Sequence, residues 1–265
     1  MRLLTIIIVE YHCLDDVEIA VESARKHLNG IDYELIVVSN SLYDDAAVKK
    51  MQESLPDIKI IINEINSGFA GGVNRALKET DSSYIFLLNP DALFIDSGLE
   101  LLIEEMESNQ EIAVIGPKVV DEDGIVQPSC RRFPRPYTFL LVRSFLSRLP
   151  GAAKERVRYL MEDFERKDKR FVDWVSGGAM LVRMAAIKEV GGMDERYFLY
   201  IEDVDWCKTM GKAGWKVLYD PRATVLHAGR HSSISNGVFS ILTSTTRWHL
   251  TSLWKFFCKW GFFSK

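Results

Sequence analysis

The chain has no apolar run long enough to span a membrane, because a membrane-spanning helix needs about 18 or more consecutive apolar residues. Its N-terminal apolar stretch, Leu3–Val9, is short and is followed closely by Glu10, His12 and Asp15. A secretion signal has a longer apolar core and a cleavage site, so this stretch predicts a buried strand instead. We expect a protein that neither spans a membrane nor carries a secretion signal.

Cysteine is scarce, and none of the four cysteines lies near enough to another in sequence to form a C-x-x-C motif. Metal sites and redox pairs built on that motif are therefore excluded. We expect free thiols in a reducing cytoplasm. The sequence also shows no internal repeat and no low-complexity tract.

Acidic residues are missing from the chain after Asp220, and Glu155 is the only acid between Gly124 and Leu160. The formal net charge of −4 therefore conceals two basic regions. Such asymmetry predicts an anionic partner for these regions, with solvated basic faces as the alternative. The bases of the C-terminal region are Arg222, Arg230, Arg247, Lys255, Lys259 and Lys265.

The remaining composition is that of a globular protein, with 47% hydrophobic and 26% charged residues over 265 positions. This length suits one large α/β domain. Strands and helices alternate in the first half, and the strands are short, unbroken runs of Ile, Val and Leu. That pattern is typical of a parallel sheet covered on both faces. The predicted strands are Leu3–Val9, Tyr33–Val38, Ile58–Ile62, Tyr84–Leu88 and Ile112–Val119.

The second half of the chain predicts a less regular arrangement. A polar connection over 121–136 leads into predicted helices, and the last part of the chain is again helical and rich in aromatic residues. The predicted helices are Tyr137–Leu149, a charged segment to about Arg166, Ala185–Val190 and Asp203–Ala213. The predicted strands are Val172–Val182, Trp215–Tyr219 and Ala223–Leu226.

Residues that follow the strands are candidates for ligand binding, because such sheets bind ligands beyond the carboxyl ends of their strands. Tyr11 follows the first strand, Ser39 and Asn40 follow the second, and Asn89 and Asp91 follow the fourth. The carboxylate of Asp91 supplies the hard oxygen that Mg²⁺ and Mn²⁺ prefer. A capped Asn-Pro-Asp turn is the alternative interpretation.

His227 ends a predicted apolar strand. A single histidine in that position is more often a satisfied side chain than a ligand. If the fold places it beside Asp91, the two could form a metal site with oxygen and nitrogen ligands.

A glycine-rich stretch, Asn66–Arg75, lies between a predicted strand and a predicted helix. Glycine allows a close approach of the backbone to a ligand, and a helix N-terminus favours an anion. The glycine spacing differs from the dinucleotide-binding fingerprint, and the stretch follows the third strand instead of the first. Contact with a phosphate or a sugar remains open, beside a tight loop without a ligand.

Three acids, Glu202, Asp203 and Asp205, gather where a predicted helix begins. Acids in that position often only cap the helix and complement its dipole. A cluster flanked by aromatic residues also suits a general base that removes a proton from a hydroxyl group. The residues alone do not decide which acid is the base.

Taken together, the motifs of this sequence resemble the inverting glycosyltransferases of family 2, with closest similarity to O-antigen and cell-wall rhamnosyltransferases. The resemblance extends over roughly residues 3–250. It rests on Tyr11, Asn66–Asn74, Leu88–Ala92, Val172–Arg183, Val190–Asp205, Ala213–Trp215, His227 and Arg247–Leu250. The resemblance implies an α/β protein of the GT-A fold, with a mostly parallel central sheet flanked by helices and a C-terminal amphipathic helical extension.

The resemblance also assigns roles to individual residues. Asp203 would be the catalytic base, and Asp91 and His227 would bind Mg²⁺ or Mn²⁺. The acceptor-binding residues would be Glu202, Trp174, Gly177 and Gly178. The donor-binding residues would be Tyr11, Ser39, Asn40, Gly71, Asn74, Arg75 and Asn89.

Two positions depart from the family pattern. Ser39 and Asn40 stand where the family usually has an aspartate that bonds the pyrimidine ring, and Glu10 stands where it usually has asparagine. A hydroxyl or an amide can still accept a hydrogen bond from the base. The change at Glu10 has no explanation in the sequence.

The resemblance implies transfer of L-rhamnose from the nucleotide-sugar donor dTDP-rhamnose onto a lipid-linked polyprenyl-diphosphate saccharide, in the synthesis of a cell-surface polysaccharide. A UDP-hexose-dependent transferase is the alternative within the family, and a nucleotidyltransferase or a sugar-binding protein without activity lies outside it. No nucleic-acid partner is expected, and a homo-oligomer is an open alternative. The resemblance divides the chain into a catalytic domain, residues 1–235 with halves at 1–120 and 121–235, and a helical segment, residues 236–265.

The C-terminal helical segment predicts attachment to the cytoplasmic face of the membrane without crossing it. On a helix, Leu250, Leu253, Trp254, Phe256, Phe257, Cys258 and Trp260 share one broad face, and Thr251, Ser252, Lys255 and Lys259 share the other. An aromatic face opposite a lysine face is typical of an interfacial helix. The alternative is that the aromatic side chains pack on the catalytic domain or on a second subunit.

Overall fold

A mixed β-sheet flanked by helices forms the centre of the protein in the computed structural model, which describes residues 2–143, 150–229 and 244–262. The main sheet of this described part follows the strand order β3-β2-β1-β4-β10-β6-β11-β5, with β8 paired to β11. The strands are β1 Leu4–Glu10, β2 Tyr33–Ser39, β3 Lys59–Ile62, β4 Tyr84–Leu88, β5 Ala92–Phe94, β6 Ile112–Val120, β7 Cys130–Arg131, β8 Arg170–Val172, β9 Trp174–Val175, β10 Ala179–Arg183 and β11 Lys216–His227.

Helices cover both faces of this sheet. The helices are α1 Leu14–His27, α2 Asp45–Ser54, α3 Gly68–Leu77, α4 Leu99–Ser108, α5 Thr138–Arg143, α6 Pro150–Leu160, α7 Met184–Val190, α8 Glu202–Lys212 and α9 Ser244–Trp260. Two large clusters of buried apolar side chains, one on each face, contain the inward residues of these elements. The predicted α/β class with helices on both faces is confirmed.

The first four strands run parallel, as the unbroken apolar runs predict. Every residue of β1 is buried, and Glu10 at its carboxyl end pairs in register with Ser39 at the end of β2. The carboxyl ends of β1, β2, β3 and β4 therefore meet along one edge. That edge, called the ligand edge below, carries most of the candidate residues.

The predicted strand Val172–Val182 is wrong, because the chain forms three short strands there. β8 pairs with β11, β9 pairs with β7 in a separate two-stranded sheet, and β10 runs antiparallel between β4 and β6. The turn at Gly177 and Gly178 separates β9 from β10, and glycine interrupts strands because it has no side chain to pack. The sheet is consequently mixed around β10.

The two predicted strands near residues 215–226 form one long strand, β11, with irregular register between Asp220 and Thr224. Pro221 cannot donate a ladder hydrogen bond, which accounts for the irregularity. The last residues of β11 pair antiparallel with the short strand β5, which the sequence analysis missed. This pairing places His227 opposite Ala92, next to Asp91.

The predicted helix Tyr137–Leu149 is described only in part. Its first turns form α5, whereas residues 144–149 lie outside the described residues. The predicted charged helix beyond it corresponds to α6, which ends at Leu160, earlier than the predicted Arg166. Arg230 and Lys265 of the basic C-terminal region also lie outside the described residues.

Several bases of the two basic regions form ion pairs within the fold. Arg158 and Arg135 pair with the buried Glu155, and Lys259 pairs with Asp194 and Asp205. The charges of these bases are matched by internal acids, which weakens the expectation of an anionic partner. All four cysteines are free, in agreement with the sequence.

The C-terminal helix α9 packs on the catalytic part of the chain. Leu253, Phe256 and Phe257 are buried in the same apolar cluster as the residues of α8. Ser252, predicted on the solvent face, is buried, whereas Trp254, predicted on the apolar face, is 63% exposed. The buried face of α9 is thus rotated from the predicted one, because its partners are polar groups of the catalytic part as well as apolar ones. Among the helices of the described residues, none is sufficiently long and apolar to span a bilayer.

Candidate active site

Asp91, His227 and Asn89 converge at the ligand edge. The Asp91 Oδ1 atom lies 3.1 Å from His227 Nε2, and Asn89 Nδ2 lies 3.5 Å from the same nitrogen. The Asp91 side chain is almost fully buried, and the His227 side chain is partly exposed. Pairing of β5 with β11 brings them together across more than 130 positions of sequence. The geometry therefore places a carboxylate oxygen and an imidazole nitrogen side by side at the ligand edge.

The turn Gly177–Gly178 connects this cluster with the acids of α8. The Gly178 carbonyl accepts a hydrogen bond of 2.9 Å from the Asn89 backbone N–H, and the Gly177 N–H donates to Asp203 Oδ2 at 3.0 Å. A Cβ atom added to Gly178 would lie 3.0 Å from Asn89 Nδ2, and one added to Gly177 would lie 3.4 Å from the Cβ of Asp203. A side chain at Gly178 would therefore press on the Asn89 amide, whereas a Cβ at Gly177 would make nearly ordinary contact. The structure therefore brings Asn89, Asp91, His227, Gly177, Gly178 and Asp203 to one place.

Two adjacent acids, Glu202 and Asp203, begin α8. The Asp203 carboxylate accepts hydrogen bonds from the backbone N–H groups of Gly177 and Val204, at 3.0 and 2.8 Å. The Glu202 side chain is buried, and its Oε2 atom has no hydrogen-bond partner among the described residues. Burial, followed by the charge of Asp203, raises the pKa of the Glu202 carboxyl, and burial raises the pKa of Asp203 against the opposing effect of its N–H donors. A shared proton of the pair fits Glu202 better, because both Asp203 oxygens accept backbone hydrogen bonds whereas Glu202 Oε2 has no partner among the described residues.

The backbone before these acids is strained. Tyr200 and Ile201 have φ angles of 67° and 73°, in the left-handed region that non-glycine residues rarely occupy. Each such residue costs on the order of 1–3 kcal/mol and persists only where its surroundings enforce it. Strain of this kind clusters at active sites, in agreement with a functional role for Asp203.

The glycine-rich stretch packs its helix start against the same segment. Gly68 has a φ angle of +72°, and the Phe69 N–H donates to the Phe198 carbonyl at 3.1 Å. A Cβ atom on Gly68 would lie 2.2 Å from that carbonyl oxygen. The Gly68 N–H donates to Asn66 Oδ1 at 2.9 Å, so the first two N–H groups of the helix are both used within the protein. The buried Gly71 lies one turn further along α3.

Ser39 and Asn40 turn their side chains into the protein. The Ser39 hydroxyl donates to Glu10 at 2.5 Å, and the Asn40 amide donates to the Gly68 carbonyl at 3.0 Å. The Asn40 Oδ1 atom accepts a hydrogen bond of 2.8 Å from Asn63. Both residues are buried, so their side chains shape the loops of the ligand edge in this conformation.

The Glu10 carboxylate accepts several hydrogen bonds at the end of β1. These contacts explain why glutamate stands at this position, which had no explanation in the sequence. Its fully buried carboxylate accepts hydrogen bonds from the hydroxyls of Ser39, Ser41 and Tyr43 and from the backbone N–H of Cys13. A buried carboxylate needs such donors to offset its lost hydration. Glu10 thus ties the loop after β2 to the end of β1.

Tyr11 remains available to a ligand. Its side chain is 55% exposed and its ring centroid lies 4.5 Å from that of His12. An exposed aromatic ring at the ligand edge can stack on a nucleobase. The donor-binding expectation for Tyr11 is consistent with this position.

Three other predicted site residues are engaged elsewhere. Asn74 bonds the backbone N–H and carbonyl of Met193, at 2.8 and 2.7 Å, and so fastens that loop to α3. Arg75 pairs with Glu79, which also pairs with Lys59 at the amino end of β3, away from the ligand edge. Trp174 is buried and donates its indole N–H to the Arg132 carbonyl. These side chains make internal contacts in this structure, and the expectation that they bind substrate stays a prediction.

A family model described as glycosyl transferase family 2 matches residues 5–191 of the chain. The chain belongs to glycosyl transferase family 2. The match ends before the segment that carries Asp203 and before His227, so the candidate base and one candidate metal ligand lie beyond the matched part.

Two proteins similar to this chain are rhamnosyltransferases by name. The N-acetylglucosaminyl-diphospho-decaprenol L-rhamnosyltransferase of Mycobacterium tuberculosis is 30% identical over 213 residues, which is 75% of this chain and 67% of the relative. Rhamnosyltransferase WbbL of Escherichia coli K12 is 27% identical over 251 residues, which is 90% of this chain and 88% of the relative.

A solved structure with a similar fold supports the GT-A fold. The crystal structure of GalNAc-T7 with UDP, GalNAc and Mn²⁺ superposes with a TM-score of 0.63 at 14% sequence identity, over 86% of this chain and 44% of that chain. This similarity concerns the fold. The family 2 assignment and the GT-A fold, both predicted from the motifs, are confirmed.

Proposed function

We propose that this family 2 enzyme transfers L-rhamnose from a nucleotide-sugar donor to a lipid-linked N-acetylglucosaminyl diphosphate, with inversion at the anomeric carbon. The observation that carries the proposal is the Asp203 carboxylate, held by the Gly177 N–H beside the Asn89–Asp91–His227 cluster. The two relatives described above support rhamnose as the sugar. The name of the mycobacterial relative supports the lipid-linked acceptor.

Asp203 is the base in this proposal. Its two backbone donors fix the carboxylate and favour its charged form, which can accept the proton of an acceptor hydroxyl. The hydroxyl oxygen then bonds to the anomeric carbon as the bond from that carbon to the diphosphate breaks. One displacement of this kind inverts the anomeric configuration. Glu202, carrying the proton of the pair, can donate a hydrogen bond to the acceptor.

Asp91 and His227 fit a divalent metal ion. A carboxylate oxygen and an imidazole nitrogen 3.1 Å apart form a donor set that suits Mn²⁺ and, with water and phosphate oxygens, Mg²⁺. No cluster of three or more such ligands occurs in the part of the chain that the structure describes, so the diphosphate itself would complete the coordination. When bound, the ion supplies positive charge that stabilises the departing diphosphate.

The nucleotide of the donor is testable by thermal shift. We expect dTDP-rhamnose, together with Mg²⁺ or Mn²⁺, to raise the melting temperature more than UDP-glucose or GDP-mannose. A ligand at about 100 times its Kd stabilises the folded state by about 2.7 kcal/mol, which is readily measured. A larger shift with UDP-glucose would favour the alternative, a UDP-hexose-dependent enzyme. No shift with any nucleotide sugar would contradict a donor site.

A position at the cytoplasmic membrane surface is part of the proposal. The exposed side of α9 presents Leu250 and Trp254, and Phe262 follows the helix with its ring 5.6 Å from that of Trp254. Tryptophan and phenylalanine are favoured at the boundary between headgroups and acyl chains. A membrane surface would also supply the lipid-linked acceptor.

Vesicle sedimentation tests this surface without disturbing the fold. Because Leu253, Phe256 and Phe257 are buried, deleting the helix would remove core residues, and point variants are the better probe. We expect Trp254→Ser with Phe262→Ser to release the protein from vesicles that contain anionic lipid, whereas Ile19→Ser, exposed on α1, retains binding. A parent protein that ignores such vesicles at low salt would refute the membrane position. Self-association detected by light scattering would indicate a second subunit on this face instead.

A further inference from the structure

The C-terminal helix α9 contacts the chain segment that carries the base at many points. The base segment is defined here as residues 194–205, which include the strained Tyr200 and Ile201 and end just after Asp203. Lys255 donates to the Arg196 carbonyl at 2.6 Å, and Ser252 donates to the Leu199 carbonyl at 3.0 Å. These bonds satisfy carbonyls of a loop that forms no regular structure of its own.

Aromatic contacts reinforce the same junction. The Trp248 ring stacks on Phe198 with centroids 4.5 Å apart, and His249 meets the edge of the Tyr200 ring at 5.2 Å. The Phe198 carbonyl also accepts a hydrogen bond from the Phe69 N–H in the first turn of α3. Phe198 thus contacts both the start of α9 and the glycine-rich stretch.

The strongest connection is Asp205, two residues beyond Asp203 on α8. Its carboxylate is buried and accepts hydrogen bonds from the Lys259 ammonium and the Trp260 indole, both at 2.6 Å, and from the Tyr197 hydroxyl at 3.0 Å. Lys259 also pairs with Asp194 at 3.0 Å, at the other end of the base segment. One lysine therefore joins both ends of the segment to α9.

We propose that α9 is a positioning element for catalysis, which holds the base segment through Lys259, Trp260 and Asp205 so that Asp203 keeps its place at the Gly177 N–H. The left-handed residues Tyr200 and Ile201 cannot hold this conformation by themselves, because it is intrinsically unfavourable. Contacts with α9 at residues 194, 196, 198, 199, 200 and 205 enforce it. Lys259, Trp260 and Asp205 do not touch the reacting atoms.

Hydrogen exchange of the base segment tests the proposal independently of any substrate. We expect Trp260→Phe, which removes one hydrogen bond and keeps the ring, to speed amide exchange in residues 198–205 by about 10-fold or more. Lys259→Met should have a larger effect, and Lys259→Arg should restore slow exchange. The matched controls are Trp215→Phe, which removes an indole bond to Glu189, and Lys188→Met on the exposed side of α7. Unchanged exchange in both Trp260→Phe and Lys259→Met would overturn the proposal.

Steady-state kinetics provide the second measurement, which rests on the proposed function. With the nucleotide sugar that the parent enzyme turns over, Trp260→Phe and Lys259→Met should lower kcat by about 10- to 100-fold, because small displacements of a catalytic group carry costs of that size. The KM for the donor should stay within about twofold, since donor residues lie on other loops, and Lys259→Arg should recover most of kcat. A loss that the controls share, or one that follows melting temperature alone, would show a merely structural role. If the parent enzyme turns over no tested donor, the proposed function fails, while the exchange experiment still decides the role of α9.

Discussion

Replacing Asp203 with asparagine is expected to lower the transfer rate by about 10²- to 10⁴-fold, the usual contribution of a general base. The amide keeps the size of the side chain, but it cannot take up the proton of the acceptor hydroxyl. The Gly177 and Val204 N–H groups can still donate to the amide oxygen, so the start of α8 should remain folded. Release of the nucleotide from the donor, followed in the presence of acceptor, measures the rate.

Donor affinity is the internal control for this variant. Asp203 is held at the Gly177 N–H, and in the proposed function it contacts the acceptor only, so calorimetric titration with the donor nucleotide should give an unchanged Kd. Turnover within about threefold of the parent rate would remove Asp203 from the mechanism. A rate loss that came entirely with weaker donor binding would assign Asp203 to substrate binding instead.

The neighbouring acids should behave differently from Asp203. Glu202→Gln should retain most of the activity, because burial raises the pKa of Glu202 and the protonated carboxyl resembles an amide. Asp205→Asn should lower stability as well as rate, because its carboxylate binds Lys259 and Trp260. The raised pKa of Asp203 predicts that kcat falls as the solution becomes more acidic, since the base is then protonated. These three outcomes distinguish a base from its supporting residues.

Replacing Asp91 with alanine is expected to weaken metal-dependent donor binding by more than about 100-fold. Even groups that only support a ligand cost about 10- to 100-fold in metal affinity, and Asp91 supplies the only charged ligand of the pair. His227→Ala should cost less, because a neutral imidazole contributes no charge and water can replace it. Titration of Mn²⁺ in the presence of the donor nucleotide, followed by water-proton relaxation, reports this loss without any turnover.

Excess chelator tests the same site in the parent enzyme. EDTA should abolish transfer, and added Mn²⁺ or Mg²⁺ should restore it. Full activity in EDTA would exclude a role of the metal in the reaction and would leave Asp91 and His227 as a structural pair.

The sequence analysis located the ligand edge because the period and composition of strands are local properties. Unbroken apolar runs identified β1, β2, β3 and β4, and the parallel arrangement followed from the helices between them. Residues after those strands, such as Tyr11 and Asp91, were therefore predicted on the correct edge. The sequence analysis missed the short strand β5, because three residues are too few to show a periodic pattern. The pairing of β5 with β11, which brings Asp91 close to His227, was therefore missed as well.

Side-chain direction was the part of the site that local pattern could not supply. Asn74 and Arg75 end the glycine-rich stretch, a position that suits donor-binding residues. In the structure, Asn74 bonds Met193 and Arg75 pairs with Glu79. Both directions depend on which groups the fold places opposite α3. The fold also explains Glu10, a buried acid for which the local sequence offers no reason. Its four hydrogen-bond donors come from β2 and the loops around it, and they lie together only in the folded protein.

By itself, the sequence determined the family, the α/β class and the group of acids that contains the proposed base. Motifs and apolar periods are properties of consecutive residues, so they can be identified without the fold. The tertiary structure decided which acid faces the site. In the fold, the Asp203 carboxylate accepts hydrogen bonds from two backbone N–H groups, whereas the Glu202 Oε2 atom is buried without a partner among the described residues. The Asp205 carboxylate accepts hydrogen bonds from Lys259 and Trp260 of α9. These acids lie within one helical turn and are chemically alike. Only the groups that distant segments bring to each carboxylate separate their roles.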